Sequence, residues 1–297
     1  MRGVNWVVAL VGLGLSIGVH ADDAFGPLAV LPAAKSFSVG KLKLTALHDA
    51  QYVVPNDGKT FGVGVSPSAV SDVLRAAAAP TDRVTLSVNA LLVRTGKRVL
   101  LIDTGLGPKA HGGLVASLSE AGVSPKAVTD ILITHSHGDH IGGLLDANGG
   151  LEFPKATIHM ASAEWAWLQK NAPAAKTVEA ISGHVRTFEP GAQIAPGVTS
   201  VALAGHTPGH VGYEIVSGAS RLLDIGDLAH SSIVSLQKPQ WGVAFDNEGA
   251  VAKTTRLATL ARLAKEQELV YSPHFPFPGV GYIVAEGDGF AWKAGVP

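Results

Sequence analysis

Seven residues, Thr134-His135-Ser136-His137-Gly138-Asp139-His140, follow directly on the apolar stretch Ile131-Leu132-Ile133. Three imidazoles and a carboxylate packed this closely make poor core. Several ring nitrogens would crowd together without partners, and their protonated forms would lack compensation. The spacing H-x-H-x-D-H reads as a metal site, so the fold must present this segment at the end of a strand. The chain contains no Cys, which excludes disulfides and thiolate ligands. The nitrogen and oxygen donors that remain suit Zn2+ and admit Mn2+, Fe2+ or Co2+.

Three further ligand candidates stand where strand-like segments end: His206 in Gly205-His206-Thr207-Pro208-Gly209-His210, Asp227 in Ile225-Gly226-Asp227, and His274 in Ser272-Pro273-His274. Taken singly, each could equally be a cap or a satisfied core group. Strand ends that converge on one edge are nevertheless where α/β proteins build sites. Asp103 and Asp224 are the nearest acidic residues that could fix an imidazole tautomer. His210 is expected to shape its Thr-Pro-Gly turn, and His48, His111, His159 and His184 lack supporting neighbours.

Around these candidates the chain alternates strand-like and helix-like signals. Val84 to Val93 and Arg98 to Ile102 flank Thr95-Gly96-Lys97 as a hairpin, and Gly113 to Ala121 reads as a helix. Strands are predicted over 154–160, 198–203, 211–216 and 221–225, with a helix over 162–170. A helix over 247–268 places Val251, Leu257, Leu260, Leu263 and Ala264 near one side, and Leu269 to Ser272 reads as the closing strand. Ala24 to Ala34 reads as a Pro/Ala-containing leader. No low-complexity linker divides the halves, and both supply ligand candidates. Residues 22–297 are therefore expected to form one domain of two packed sheets with helices outside.

Residues 1–21 have the signature of a signal peptide: Arg2, an apolar run from Val7 to Val19 broken by glycines, and Val19-His20-Ala21 before Asp22 and Asp23. The expected location is periplasmic or secreted, with no stable membrane insertion after cleavage. With 23 basic against 24 acidic groups, a nucleic-acid partner is poorly supported.

The complete ligand set resembles that of the metallo-β-lactamase superfamily over essentially the whole mature chain. That resemblance implies an α/β fold, an αββα sandwich of two mixed β-sheets flanked by helices, with a two-metal site on one edge. Carried over residue by residue, His135, His137 and His206 would bind one divalent ion, Asp139, His140 and His274 a second, and Asp227 would bridge them. A hydroxide shared by the ions is then the expected nucleophile, with Asp139 either moving its proton or serving as a ligand alone.

Within the superfamily, Gly226-Asp227-Leu228-Ala229-His230, Val243-Ala244-Phe245-Asp246 and the tail from His274 to Gly281 are similar to the methyl parathion hydrolase-like and lactonase group. The carboxylate at Asp227 argues against β-lactamases of the superfamily, which typically carry Cys or Ser there. The short tail argues against glyoxalase II-type thioesterases. Many homoserine-lactone lactonases carry Tyr three residues beyond the bridging Asp, where this chain has His230, a candidate for hydrogen bonding to substrate or, equally, a buried polar residue. The expected substrate is a small neutral ester, a lactone or aryl ester first, with organophosphate triesters as the alternative; a non-catalytic metal-binding role is the reading from a different class. Phe275 and a Phe61 loop acting as a lid are expected at the pocket. An exposed aromatic loop could also pair with a twin copy in a homodimer.

Overall fold

The structure is a computed structural model that describes residues 25–295; the signal-peptide reading over 1–21 lies outside them. One seven-stranded sheet runs, in spatial order, Gly26–Val39, Leu42–Pro55, Arg83–Thr95, Arg98–Ile102, Asp130–Leu132, Thr157–Ala161 and Val185–Phe188. A second runs Gly289–Ala294, Val280–Glu286, Leu269–Tyr271, Ser220–Asp224, Val211–Ser217, Val198–Ala202 and Gln193–Ala195. Both mix antiparallel hairpins with parallel pairs, Arg98–Ile102 against Asp130–Leu132 in the first and Ser220–Asp224 against Leu269–Tyr271 in the second.

The layering follows from side-chain alternation along the strands. Leu91, Val93, Leu100 and Ile102 point inward and meet Val211, Tyr213, Ile215 and Leu222 of the facing sheet. Their neighbours Leu92 and Leu101 point outward, onto Leu114 and Leu118 of the helix Leu114–Glu120 and onto Leu168 and Ile181. On the far side, Leu260 and Leu263 of the helix Gly249–Glu266 cover Leu223, Ile225 and Val270. The result is the expected αββα sandwich. Its inner seam is so closely filled that truncating a residue such as Leu100, fully buried, should cost about 2–5 kcal/mol.

Three segments differ from the sequence expectation. The supposed leader is the start of Gly26–Val39, an edge strand whose pairing with Leu42–Pro55 breaks between Ala29 and Ala33. Pro32 lies in that break, where its missing N–H costs no ladder bond. Leu269–Tyr271 does not close the sheet, because the hairpin Val280–Glu286 and Gly289–Ala294 follows it. In the long helix the buried stripe is Ala252, Arg256, Leu260 and Leu263, whereas Val251 and Leu257 are exposed. Among the described residues no helix is long and apolar enough to cross a membrane.

Candidate metal centre

Ligand candidates from four separate segments meet at one edge of the sandwich. The strand Asp130–Leu132 ends just before His135, and the short helical turn Gly138–Ile141 carries Asp139 and His140. His206 follows Val198–Ala202, Asp227 follows Ser220–Asp224, and His274 follows Leu269–Tyr271. The ligating atoms fall into two groups, His135, His137, His206 and Asp227 in one and Asp139, His140 and His274 in the other, each within 4.8 Å of one another. Asp227 joins the groups: Oδ1 lies 3.2 Å from His140 Nε2 and 3.1 Å from His274 Nε2, and Oδ2 lies 3.4 Å from His206 Nε2.

The outer nitrogen of each ring shows which atom faces inward. His206 Nδ1 donates to Asp246 Oδ1 at 3.0 Å, and His140 Nδ1 donates to Asp103 Oδ2 at 2.7 Å. His274 Nδ1 donates to the Ser87 carbonyl at 2.8 Å. The Thr134 hydroxyl donates to Asp103 Oδ2 and accepts from His135 Nδ1 at 3.1 Å. In neutral rings these four Nε2 atoms are therefore lone pairs, turned toward one another and toward the Asp227 carboxylate. His135 Nε2 and His206 Nε2 stand 3.2 Å apart, each close to His137 Nδ1.

Acceptors crowded against acceptors repel unless positive charge lies between them. The buried His140 Nε2 and Asp227 Oδ1 make no hydrogen bond. Nitrogens about 2.0–2.1 Å from a tetrahedral zinc-sized ion would lie about 3.3 Å from each other, close to the separations in the first group. The donor set thus fits divalent cations. Burial and neighbouring His140 push His135 well below the usual imidazole range, and burial lowers His206 to about 3 although Asp246 and Asp227 oppose it. Burial would lower His140 and His274 too, but Asp227 and Asp139 raise both, and Asp103 adds to the rise at His140. The first group favours neutral ligands and the second calls for positive charge.

The supporting contacts are only partly those expected. Asp103 holds His140, and it does so from a left-handed backbone, φ 60°, which a short polar residue tolerates better than most. Asp224 touches no candidate ligand; its carboxylate accepts the Gly226 N–H, and burial raises it. Asp246 was quoted above only as part of a resembling stretch, yet it orients His206 and pairs at 3.2 Å with Arg256, itself buried. It lies 40 residues from His206, too far for any local pattern to connect them. Glu164, also unanticipated, is fully buried between the two loops that carry His135, His137 and His206. His210 uses both ring nitrogens, donating to the Leu203 carbonyl and accepting the Asp227 N–H at 3.0 Å. Gly226, at φ +47°, allows that contact, since a Cβ there would lie 2.5 Å from His210 Nε2.

A cavity of about 500 Å³ opens over the centre, lined by Tyr52, Leu86, Leu106, Ala244 and Phe245 and, at its floor, by His137, Asp139, Asp227, His230 and His274. Among its lining residues none is Lys or Arg. His230 is buried with Nε2 3.2 Å from Asp227 Oδ2, and neither ring nitrogen has a hydrogen-bond partner. Two aromatic expectations are corrected. Phe275 is fully buried and packs on Trp292 in the outer core, so it faces away from the cavity. Phe61 is buried in the strand Phe61–Val63, pinned by pairing to Gly242–Val243, and buttresses Phe245 and His230 from below instead of forming a lid. A larger cleft of about 710 Å³ near Val39 and Tyr282 contains no such ligand group among the described residues, so size does not mark the site.

Comparison with known proteins gives the family and the fold. The profile of the metallo-beta-lactamase superfamily matches residues 83–274. The solved structure of AidC, a dizinc quorum-quenching lactonase in complex with a product, is similar at a TM-score of 0.84 and 27% identity, covering 89% of this chain and 97% of that one. The hydrolase AbOPH of the beta-lactamase superfamily is similar at 0.81 and 28%, covering 90% and 98%. A lactamase-like protein of Pestalotiopsis microspora is 34% identical over 132 residues, 44% of this chain, and the matched stretch spans only 34% of that relative.

Proposed function

The chain belongs to the metallo-β-lactamase superfamily, and from that premise we propose that it is a two-cation hydrolase of small neutral esters, lactones first and aryl esters beside them. The observation that carries this reading is the set of inward-facing lone pairs on four tautomer-fixed imidazoles around Asp227. His135, His137, His206 and Asp227 would hold one cation, and Asp139, His140, His274 and Asp227 the other. Such ions, zinc by the donor set and by the likeness to the dizinc lactonase AidC, would supply Lewis acidity and make water acidic enough to attack at neutral pH.

The protein's own groups account for the rest. Tyr52, Leu86, Leu106, Ala244 and Phe245 offer apolar walls that exclude water and take up an acyl or alkyl substituent. The lack of Lys or Arg in the lining leaves no basic side chain in the walls to pair with a substrate carboxylate away from the cations, which favours uncharged substrates. Asp139, whose side chain is 25% exposed, borders the cavity and in this reading would take a proton from the attacking water and return it to the leaving alkoxide. In a lactone that alkoxide stays tethered to the acyl group, so one proton delivery completes ring opening. His230, with both ring nitrogens unpaired, would hydrogen-bond the substrate's ester oxygens in this reading.

The signal-peptide signature of residues 1–21 supports export of the mature enzyme. The test is a panel of γ-lactones, aryl esters, phosphotriesters, thioesters and a β-lactam given to the zinc-loaded protein. A kcat/KM for a lactone or aryl ester at least tenfold above the others supports the reading. Hydrolysis of phosphotriester or β-lactam alone refutes it, and a loaded protein inert to the whole panel favours a binding role.

A further inference from the structure

Glu164 lies in the first turn of the helix Ser162–Leu168 and is fully buried, yet no cation contacts it among the described residues. Its carboxylate instead accepts four hydrogen bonds. Oε1 takes the Ser136 N–H at 2.7 Å and the Ser136 hydroxyl at 2.6 Å. Oε2 takes the Thr207 hydroxyl at 2.6 Å and the Gly209 N–H at 3.0 Å. Two donors on each oxygen fill the acceptor capacity of a carboxylate.

The positions of those donors are informative. Ser136 stands between His135 and His137, and Thr207 directly follows His206. One side chain from a third element therefore sets the separation of the two loops that bring His135, His137 and His206 together. No bond reaches from Glu164 to the other group, where His140 is held by Asp103 and His274 by the Ser87 carbonyl. The closeness of the helix to the second loop depends on Gly209, because a Cβ there would run into the Glu164 backbone nitrogen.

We propose that Glu164 is a positioning residue for one cation of the pair, setting the spacing of His135, His137 and His206 while leaving Asp139, His140 and His274 unaffected. The proposal rests on the two-cation reading above. A carboxylate is needed because Gln would turn an NH₂ group toward one pair of donors and leave that loop unheld. Asp would be too short to reach both loops.

The experiment is zinc titration of the metal-stripped full chain against a competing chromophoric chelator, with thermal unfolding of the stripped proteins alongside. His137→Ala and His274→Ala assign the two binding steps. Glu164→Gln is expected to weaken the step that His137→Ala weakens, about 10- to 100-fold, the usual effect of losing a contact that supports a ligand. The step assigned by His274→Ala should stay within about twofold. Thr207→Val, which removes one of the four donors, should weaken the same step by a smaller factor, and it decides the matter if Glu164→Gln does not fold. Unchanged zinc binding in the variants, or equal weakening of both steps, overturns the clamp even if thermal stability falls. A wild-type chain that takes up no zinc overturns the two-cation reading and the clamp with it.

Discussion

Asp246→Asn separates two jobs that the structure gives one carboxylate. Burial opposes ionisation of Asp246, but His206, His230 and Arg256 hold its carboxyl below the usual range. One oxygen orients His206 at 3.0 Å and the other meets Arg256 Nη1 at 3.2 Å, with both side chains of the ion pair 1% exposed. Removing one partner of a buried pair typically costs about 3–5 kcal/mol. Arg256 would still donate to the carbonyls of Leu228, Pro239 and Trp241, which points to the lower end. For a chain of 297 residues about 3 kcal/mol corresponds to a fall in Tm of roughly 5 °C, to be read on the metal-stripped protein by urea and thermal unfolding. Zinc affinity should fall separately, by about tenfold, because the orienting bond to His206 loses its charge. In a His206→Ala background the zinc effect of Asp246→Asn should vanish, to within about twofold, while the stability loss persists. A zinc effect of the same size in that background would refute the claim that Asp246 acts through His206. A stability cost under about 1 kcal/mol would refute the importance of its pairing with Arg256.

Other consequences can be checked independently. His230→Ala should retain two zinc ions per chain and lower kcat/KM for the preferred ester by at least tenfold, about 1.4 kcal/mol of transition-state binding; loss of an ion would instead make it a ligand. Away from the centre, burial would raise the Asp130 carboxyl, but hydrogen bonds from His159, Arg98 and Thr129 hold it well below the carboxylate range. Because the folded value is depressed, the stability this gives is present above the unfolded value of about 3.9 and disappears as pH falls toward the folded one. Arg98→Met should therefore flatten the loss of stability between about pH 4 and pH 2, as followed by urea midpoints; an unchanged acid limb would contradict the assignment. Gly226→Ala meets both the positive φ and the approach of His210 Nε2 at 2.5 Å, so it should destabilise by more than about 1 kcal/mol and weaken zinc binding through Asp227. A variant as stable as wild type would show that the Gly226 turn is not constrained.

The ligands were legible because chemistry that dense is local. His135, His137, Asp139 and His140 fall within six residues, and His206, Asp227 and His274 each mark the end of an apolar run. The inner strands were legible for a related reason, since burial on both faces makes Ala90–Val93 and Val99–Ile102 continuous in apolar residues. What supports the ligands was mostly hidden. Asp246 and Glu164 reach their partners across 40 and 28–45 residues, and their neighbours in sequence say nothing of where they point. Asp224 looked as eligible as Asp103, and backbone geometry separates them: the left-handed turn at Asp103 aims its carboxylate at His140, whereas Asp224 folds back onto Gly226. Pro32 disguised an edge strand by sitting in its bulge. The final hairpin does leave a signal, Gly287-Asp288 between two apolar runs. Phe275 shows the hazard of adjacency, because the residue after His274 points into the opposite layer.

Anomalous X-ray scattering at the zinc edge, recorded from crystals of the zinc-loaded wild type and of His135→Ala, tests the central claim most directly. Two peaks are expected in the wild type, one among His135, His137, His206 and Asp227 and the other among Asp139, His140, His274 and Asp227, with the first lost or weakened in the variant. No peak at this edge of the sandwich, or peaks unaffected by His135→Ala, would contradict it.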